Sequence, residues 1–74
     1  MSSRIHPTAL VDASAEIGEG VEIGAQAIVG EGCTIGAGSV ISARAMLERN
    51  VILGCGVKVG VGTVLGGDPQ DLKY

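Results

Sequence analysis

Few side chains in this sequence have the chemistry of a catalyst, and their spacing keeps them apart. His6 is the one imidazole in 74 residues. Imidazole is the usual general base near neutral pH, but this one lies in Ile5-His6-Pro7-Thr8-Ala9, between an aliphatic residue and a proline. An opening turn or cap is its expected role. Of the two thiols, Cys33 fills a slot that elsewhere holds alanine or valine and is expected in the core as a small apolar filler. Cys55 falls in a turn, with no second cysteine or histidine near enough for metal binding and no base to activate it. Along the strand direction the two thiols should stand roughly 10 Å or more apart, out of disulfide reach. Asp12, Ser42 and Glu48 take turn positions that glycine fills elsewhere, and Asn50 suits a turn likewise, so all four read as turn formers. The C-terminal stretch Gly66-Gly67-Asp68-Pro69-Gln70-Asp71-Leu72-Lys73-Tyr74 is different, because it gathers an amide, carboxylates and an ammonium in nine residues.

What must position these groups is a repeat. Aliphatic residues recur at every sixth position as Ile5, Val11, Ile17, Ile23, Val29, Ile35, Ile41, Leu47, Leu53, Val59 and Leu65. Four residues after each of the first ten stands a small or β-branched residue: Ala9, Ala15, Val21, Ala27, Cys33, Ser39, Ala45, Val51, Val57 and Thr63. Six is neither the helical period nor a simple strand alternation. It suits a short strand that aims two side chains inward, two positions apart, and then turns, as Ala15 and Ile17 would. The residue after the aliphatic is glycine in seven of eleven units, which suits a corner that needs positive φ or leaves no room for Cβ. With 13 glycines the chain is a poor helix former. The expected fold class is all-β, a parallel β-helix of hexapeptide repeats with about three and a half triangular coils. Its expected organisation is residues 1–4 as a flexible N-terminus, 5–68 as the β-helix and 69–74 as the start of a substrate-contacting loop.

The residue between each inward pair should point outward, and in order these are Leu10, Glu16, Glu22, Ile28, Thr34, Val40, Met46, Ile52, Lys58 and Val64. Every third one is apolar. Three hexads per coil therefore stack Leu10, Ile28, Met46 and Val64 into one exposed column, with coils about 4.8 Å apart. The other two columns, Glu16, Thr34, Ile52 and Glu22, Val40, Lys58, are mixed. So short a solenoid buries a low fraction of its surface, and an exposed apolar stripe marks a contact surface. Self-association through the Leu10, Ile28, Met46, Val64 face is expected, most simply as a closed ring of three.

Composition narrows the functions further. The chain has no Phe or Trp and only Tyr74 as an aromatic, as a narrow prism interior requires. Its formal charge is −3, with five acids and no base from Asp12 to Glu31. Without a basic stripe to neutralise phosphates, nucleic-acid binding is excluded as a function class. No apolar run approaches membrane-spanning length, and Met-Ser-Ser-Arg lacks a signal-peptide core, so no membrane insertion and a cytoplasmic location are expected. Arg4, Arg44, Arg49 and Lys58 read as solvated face or corner residues. No metal and no cofactor are expected.

The repeat breaks where the polar stretch begins: Pro69 falls in a small slot and Asp71 where an aliphatic belongs. Spacing alone leaves two readings open, a loop leaving the prism wall to carry a site and a solenoid that merely stops. Hexads opening with Ile5-His6-Pro7-Thr8-Ala9 and reaching Pro69-Gln70-Asp71-Leu72-Lys73-Tyr74 resemble the N-terminal part of the UDP-N-acetylglucosamine O-acyltransferases, which begin lipid A biosynthesis. The likeness runs over essentially the whole chain, and the last six residues are its distinctive part. It implies a left-handed β-helix, a cytoplasmic homotrimer, and transfer of a 3-hydroxyacyl group from acyl carrier protein to the 3-hydroxyl of UDP-N-acetylglucosamine. It also assigns substrate contact to Gln70, Asp71 and Lys73, whose amide, carboxylate and ammonium can bond sugar hydroxyls, an acyl hydroxyl and phosphate.

The resemblance carries an expectation of inactivity as well. The family's general base is a histidine several coils later, and its C-terminal helical domain supplies basic residues for acyl carrier protein. Loss of a general base lowers a rate by about 10²- to 10⁴-fold, so the chain alone should be inactive. The alternative function is a minimal self-assembling β-helix scaffold with no chemistry of its own. In either case unpaired strand groups from Val59 to Leu65 can recruit another chain, and end-to-end stacking into dimers of trimers or fibres is expected.

Overall fold

The computed structural model describes residues 3–66. Its regular elements are eleven two-residue strands: β1 (Arg4–Ile5), β2 (Leu10–Val11), β3 (Glu16–Ile17), β4 (Glu22–Ile23), β5 (Ile28–Val29), β6 (Thr34–Ile35), β7 (Val40–Ile41), β8 (Met46–Leu47), β9 (Ile52–Leu53), β10 (Lys58–Val59) and β11 (Val64–Leu65). Each pairs in parallel with the strand three elements away, so that Arg4 faces Glu22, Leu10 faces Ile28 and Glu16 faces Thr34. Three sheets result, β1-β4-β7-β10, β2-β5-β8-β11 and β3-β6-β9. They are the walls of a triangular prism with three complete coils and two strands of a fourth. The first wall begins at Arg4, inside the stretch expected to be flexible, because its N–H donates to Val21 O at 2.8 Å and fixes it to the coil above.

The hexad explains itself here. The small residue and the aliphatic two positions later fill the interior, and from Val21 to Leu47 every such residue is at most 2% exposed. Burying each of those Ile, Val and Leu side chains contributes roughly 1.5–3 kcal/mol. Ser39, the one buried polar residue of this core, donates its hydroxyl to Gly54 O at 2.9 Å and accepts from Val57 N at 3.1 Å. It thereby ties the two ends of the corner above it. Cys33 sits fully buried in the equivalent slot one hexad earlier, its thiol 3.1 Å from Glu48 O.

The corners divide the work between two columns. A Cβ built on Gly18 would stand 2.6 Å from Ala37 N, one on Gly36 would stand 2.5 Å from the Gly54 carbonyl carbon, and one on Gly30 would strike the Glu48 carbonyl. Glycine follows the aliphatic because the coil above passes too close, and none of these three has a positive φ. Positive φ belongs instead to the residue two places later. Gly20, Gln26, Gly32, Gly38, Arg44, Asn50, Gly56 and Gly62 all have φ between 59° and 74°. A positive φ at the third residue of a tight turn is the feature a type II turn requires. The N–H of that residue points down the prism, as Gly38 N to Glu19 O (2.9 Å), Arg44 N to Ala25 O (2.8 Å) and Asn50 N to Glu31 O (2.9 Å) show.

Candidate functional site

The register brings together one of the expected features, the apolar column. Leu10, Ile28, Met46 and Val64 are consecutive partners across β2, β5, β8 and β11, so the apolar column forms on a single wall. Leu10 is 66% and Val64 59% exposed, with Ile28 and Met46 half-buried between them. Gln70, Asp71 and Lys73, the expected substrate contacts, lie outside the described residues, as does the boundary expected at residue 69.

His6 is built into the first corner. Its Nδ1 accepts from Thr8 N at 3.1 Å and stands 2.9 Å from Thr8 Oγ1, while its carbonyl accepts from Ala9 N at 2.9 Å. The ring closes its own turn, as the sequence suggests. Asp12 does the same one corner later: Oδ2 accepts from Ser14 N at 2.9 Å and from Ser14 Oγ at 2.6 Å. Those two bonds from Ser14 stabilise the charged form and hold the Asp12 carboxyl below its usual value of 3.8. Cys33 is buried and Cys55 exposed, and both are free thiols. Among the described residues no three His, Cys, Asp or Glu side chains are grouped to hold a metal ion.

The sequence did not single out the wall of β1, β4 and β7. An open groove of about 720 Å³ runs along it, with Arg4, His6, Glu22 and Ser42 among its polar lining. The outward column here is mixed in character, so no periodic signal marks it. No ordered catalytic pairing among the described side chains accompanies the groove; what the site offers is a rigid wall with a polar corner.

Stacked hexads, parallel rungs and glycine corners define a class of protein, the hexapeptide-repeat β-helices. The chain belongs to the family described as bacterial transferase hexapeptide (six repeats), which matches residues 2–37 and 14–49. Its fold is therefore the left-handed parallel β-helix. The general right-handed crossover preference rests on strand twist, and strands of two residues have little twist with which to impose it. Among solved structures, a variant of GDP-perosamine N-acetyltransferase from Caulobacter crescentus, in complex with CoA and GDP-perosamine, is similar at 27% identity and a TM-score of 0.48. The match covers 92% of this chain and 44% of that one, so the chain spans less than half the length of that protein. No curated protein matches it. Among the described residues no helix is long and apolar enough to cross a membrane.

Proposed function

We propose that the chain is the N-terminal β-helical part of an acyltransferase that moves a 3-hydroxyacyl group from acyl carrier protein to the 3-hydroxyl of UDP-N-acetylglucosamine, in lipid A biosynthesis. Membership of a transferase family supports the reaction class. The observation that carries the finer reading is Pro69-Gln70-Asp71-Leu72-Lys73-Tyr74, placed directly after the last regular hexad. In this reading Gln70, Asp71 and Lys73 hold the substrate. The general base comes from elsewhere, because the one imidazole, His6, has its Nδ1 committed to its own corner. The chain by itself is therefore inactive. It works in the cytoplasm as a homotrimer joined through the Leu10, Ile28, Met46, Val64 wall, whose exposure supports that contact.

The same apolar wall favours a second reading, a self-assembling scaffold without chemistry. A titration of UDP-N-acetylglucosamine followed by NMR separates the two. Shifts of the Gln70, Asp71 and Lys73 amides are expected for a substrate half-site, and unchanged amides at saturating sugar nucleotide would leave only the scaffold.

A further inference from the structure

A closed ring of three is built from heterologous contacts, in which the patch that one copy offers is met by a different patch on the next. Both patches must therefore exist on this one chain. The apolar wall of β2, β5, β8 and β11 supplies the first, and the second has to be sought on the other two walls. A three-fold axis running along the prism keeps every coil at its own height, so the residues that meet come from the same coil. At the height of Ile28 stand Glu22 on one of those walls and Thr34 on the other; at the height of Met46 stand Val40 and Ile52.

The wall of β1, β4, β7 and β10 is a poor match for the apolar column. Its Val40 is paired with Glu22 below and Lys58 above, so seating the column there would press Ile28 against a carboxylate and Val64 against an ammonium. Taking a charge out of water without a partner is costly. The wall of β3, β6 and β9 has its one outward charge, Glu16, on the lowest rung, and above it Thr34 pairs with Ile52. Ile52 points outward because the residues on either side of it, Val51 and Leu53, turn into the core. That direction is fixed by strand alternation within β9 and its flank, whatever lies above. Uncharged side chains thus stand at the heights of both Ile28 and Met46 on this wall alone.

We propose that the wall of β3, β6 and β9 is the second patch of the ring: Thr34 and Ile52 of one copy receive Ile28 and Met46 of the next, with Ile52 against Met46 at the centre. The inference rests on the proposed self-association through the apolar wall and adds the surface which that wall meets. Glu16 falls opposite Leu10 at the margin, where its carboxylate keeps its water. The corner shared by the two walls carries Asp12, Glu31, Glu48 and Arg49, all exposed, so acids outnumber bases there. That like charge opposes closure, and the ring tightens as salt screens it. The remaining wall, with Arg4, Glu22 and Lys58, stays in water.

The test is sedimentation of Ile52→Glu beside Met46→Glu and Val40→Glu, three outward substitutions at one coil height on three different walls. Association weakened at least about tenfold by Ile52→Glu and by Met46→Glu, and unchanged by Val40→Glu, is the expected result. A trimer that survives Ile52→Glu but not Met46→Glu would overturn this inference and leave the proposed self-association standing, and dissociation by Val40→Glu would also overturn it. A parent that sediments as a monomer would overturn both. Covalent capture gives a second readout that needs no loss of assembly. In a Cys55→Ser background, Met46→Cys with Ile52→Cys should give disulfide-linked trimers under oxidised glutathione, whereas Met46→Cys with Val40→Cys should not. The substituted positions of one chain face apart on different walls, so the link forms only between copies. Linkage through Val40→Cys and not through Ile52→Cys would refute the assignment of the second patch.

Discussion

Replacing Gly36 and Gly54 by alanine, one at a time, tests the meaning of the corner glycines, because both stand one residue after an inward aliphatic and neither has a positive φ. An alanine Cβ at 36 would meet the Gly54 carbonyl carbon at 2.5 Å, Cys55 N at 2.6 Å and Gly54 O at 2.6 Å. All three are backbone atoms fixed by neighbouring rungs, with Gly36 N itself donating to Leu53 O at 2.9 Å, so the corner relaxes only by separating two coils. Overpacking of this kind costs about 1–3 kcal/mol. At Gly54 nothing among the described residues stands within 4 Å, and alanine instead reduces the freedom of the unfolded chain, worth about 0.4–1 kcal/mol in favour of the fold. The two substitutions should therefore differ by roughly 1.5–4 kcal/mol in opposite directions. Urea unfolding followed by circular dichroism measures this. With a slope near ~1 kcal/mol/M for so small a domain, the midpoints should separate by more than about 1 M. Equal midpoints would refute the close-approach account, and a loss at Gly54 as large as at Gly36 would mean that another coil covers it.

Other outcomes follow from the same geometry. Ser39→Ala strands Gly54 O and Val57 N in a partly buried corner and should destabilise by about 1–3 kcal/mol in the same unfolding assay. Arg44→Gly removes a side chain from a residue held at φ 60° and should raise stability by up to about 1 kcal/mol. The Asp12 carboxyl is held below its usual range by its bonds from Ser14, so its contribution is present above an unfolded value near 3.8 and is lost as pH falls through the lower folded value. Asp12→Asn should accordingly flatten the fall in unfolding midpoint below pH 4, and an unaltered acid limb would contradict the bond assignment. Met46→Glu places a charge in the centre of the apolar wall and should reduce the sedimenting species from the proposed trimer to monomer.

The sixfold spacing made the inward pairs legible, and the outward residues Leu10, Ile28, Met46 and Val64 disclosed three hexads per coil before any coordinates, because only that count stacks them. The corners were half legible. Gly18, Gly30 and Gly36 announced a constraint, but composition could not tell close approach from positive φ, and the contacts show it is approach. The column that does carry positive φ hid because it mixes glycine with Gln26, Arg44 and Asn50, held there by bonds to the coil beneath. Asp12-Ala13-Ser14 carried a visible turn signature, yet its service to Gly32 depends on a residue eighteen places away that no local pattern reveals. The proposed substrate contacts Gln70, Asp71 and Lys73 rest on resemblance, and the groove beside Arg4, Glu22 and Ser42 emerges only when distant hexads stack.

Winding three hexads to the coil underlies the apolar wall, the wall proposed to meet it and the corner glycines alike, and through-space amide contacts measure it most directly. A three-dimensional NOESY spectrum should connect Glu16 with Cys33, Ile28 with Ala45 and Val40 with Val57, the pairs joined by rung hydrogen bonds of 2.8–2.9 Å. Cross-peaks linking residues twelve or twenty-four apart in their place would contradict the coil, and with it every position assigned above.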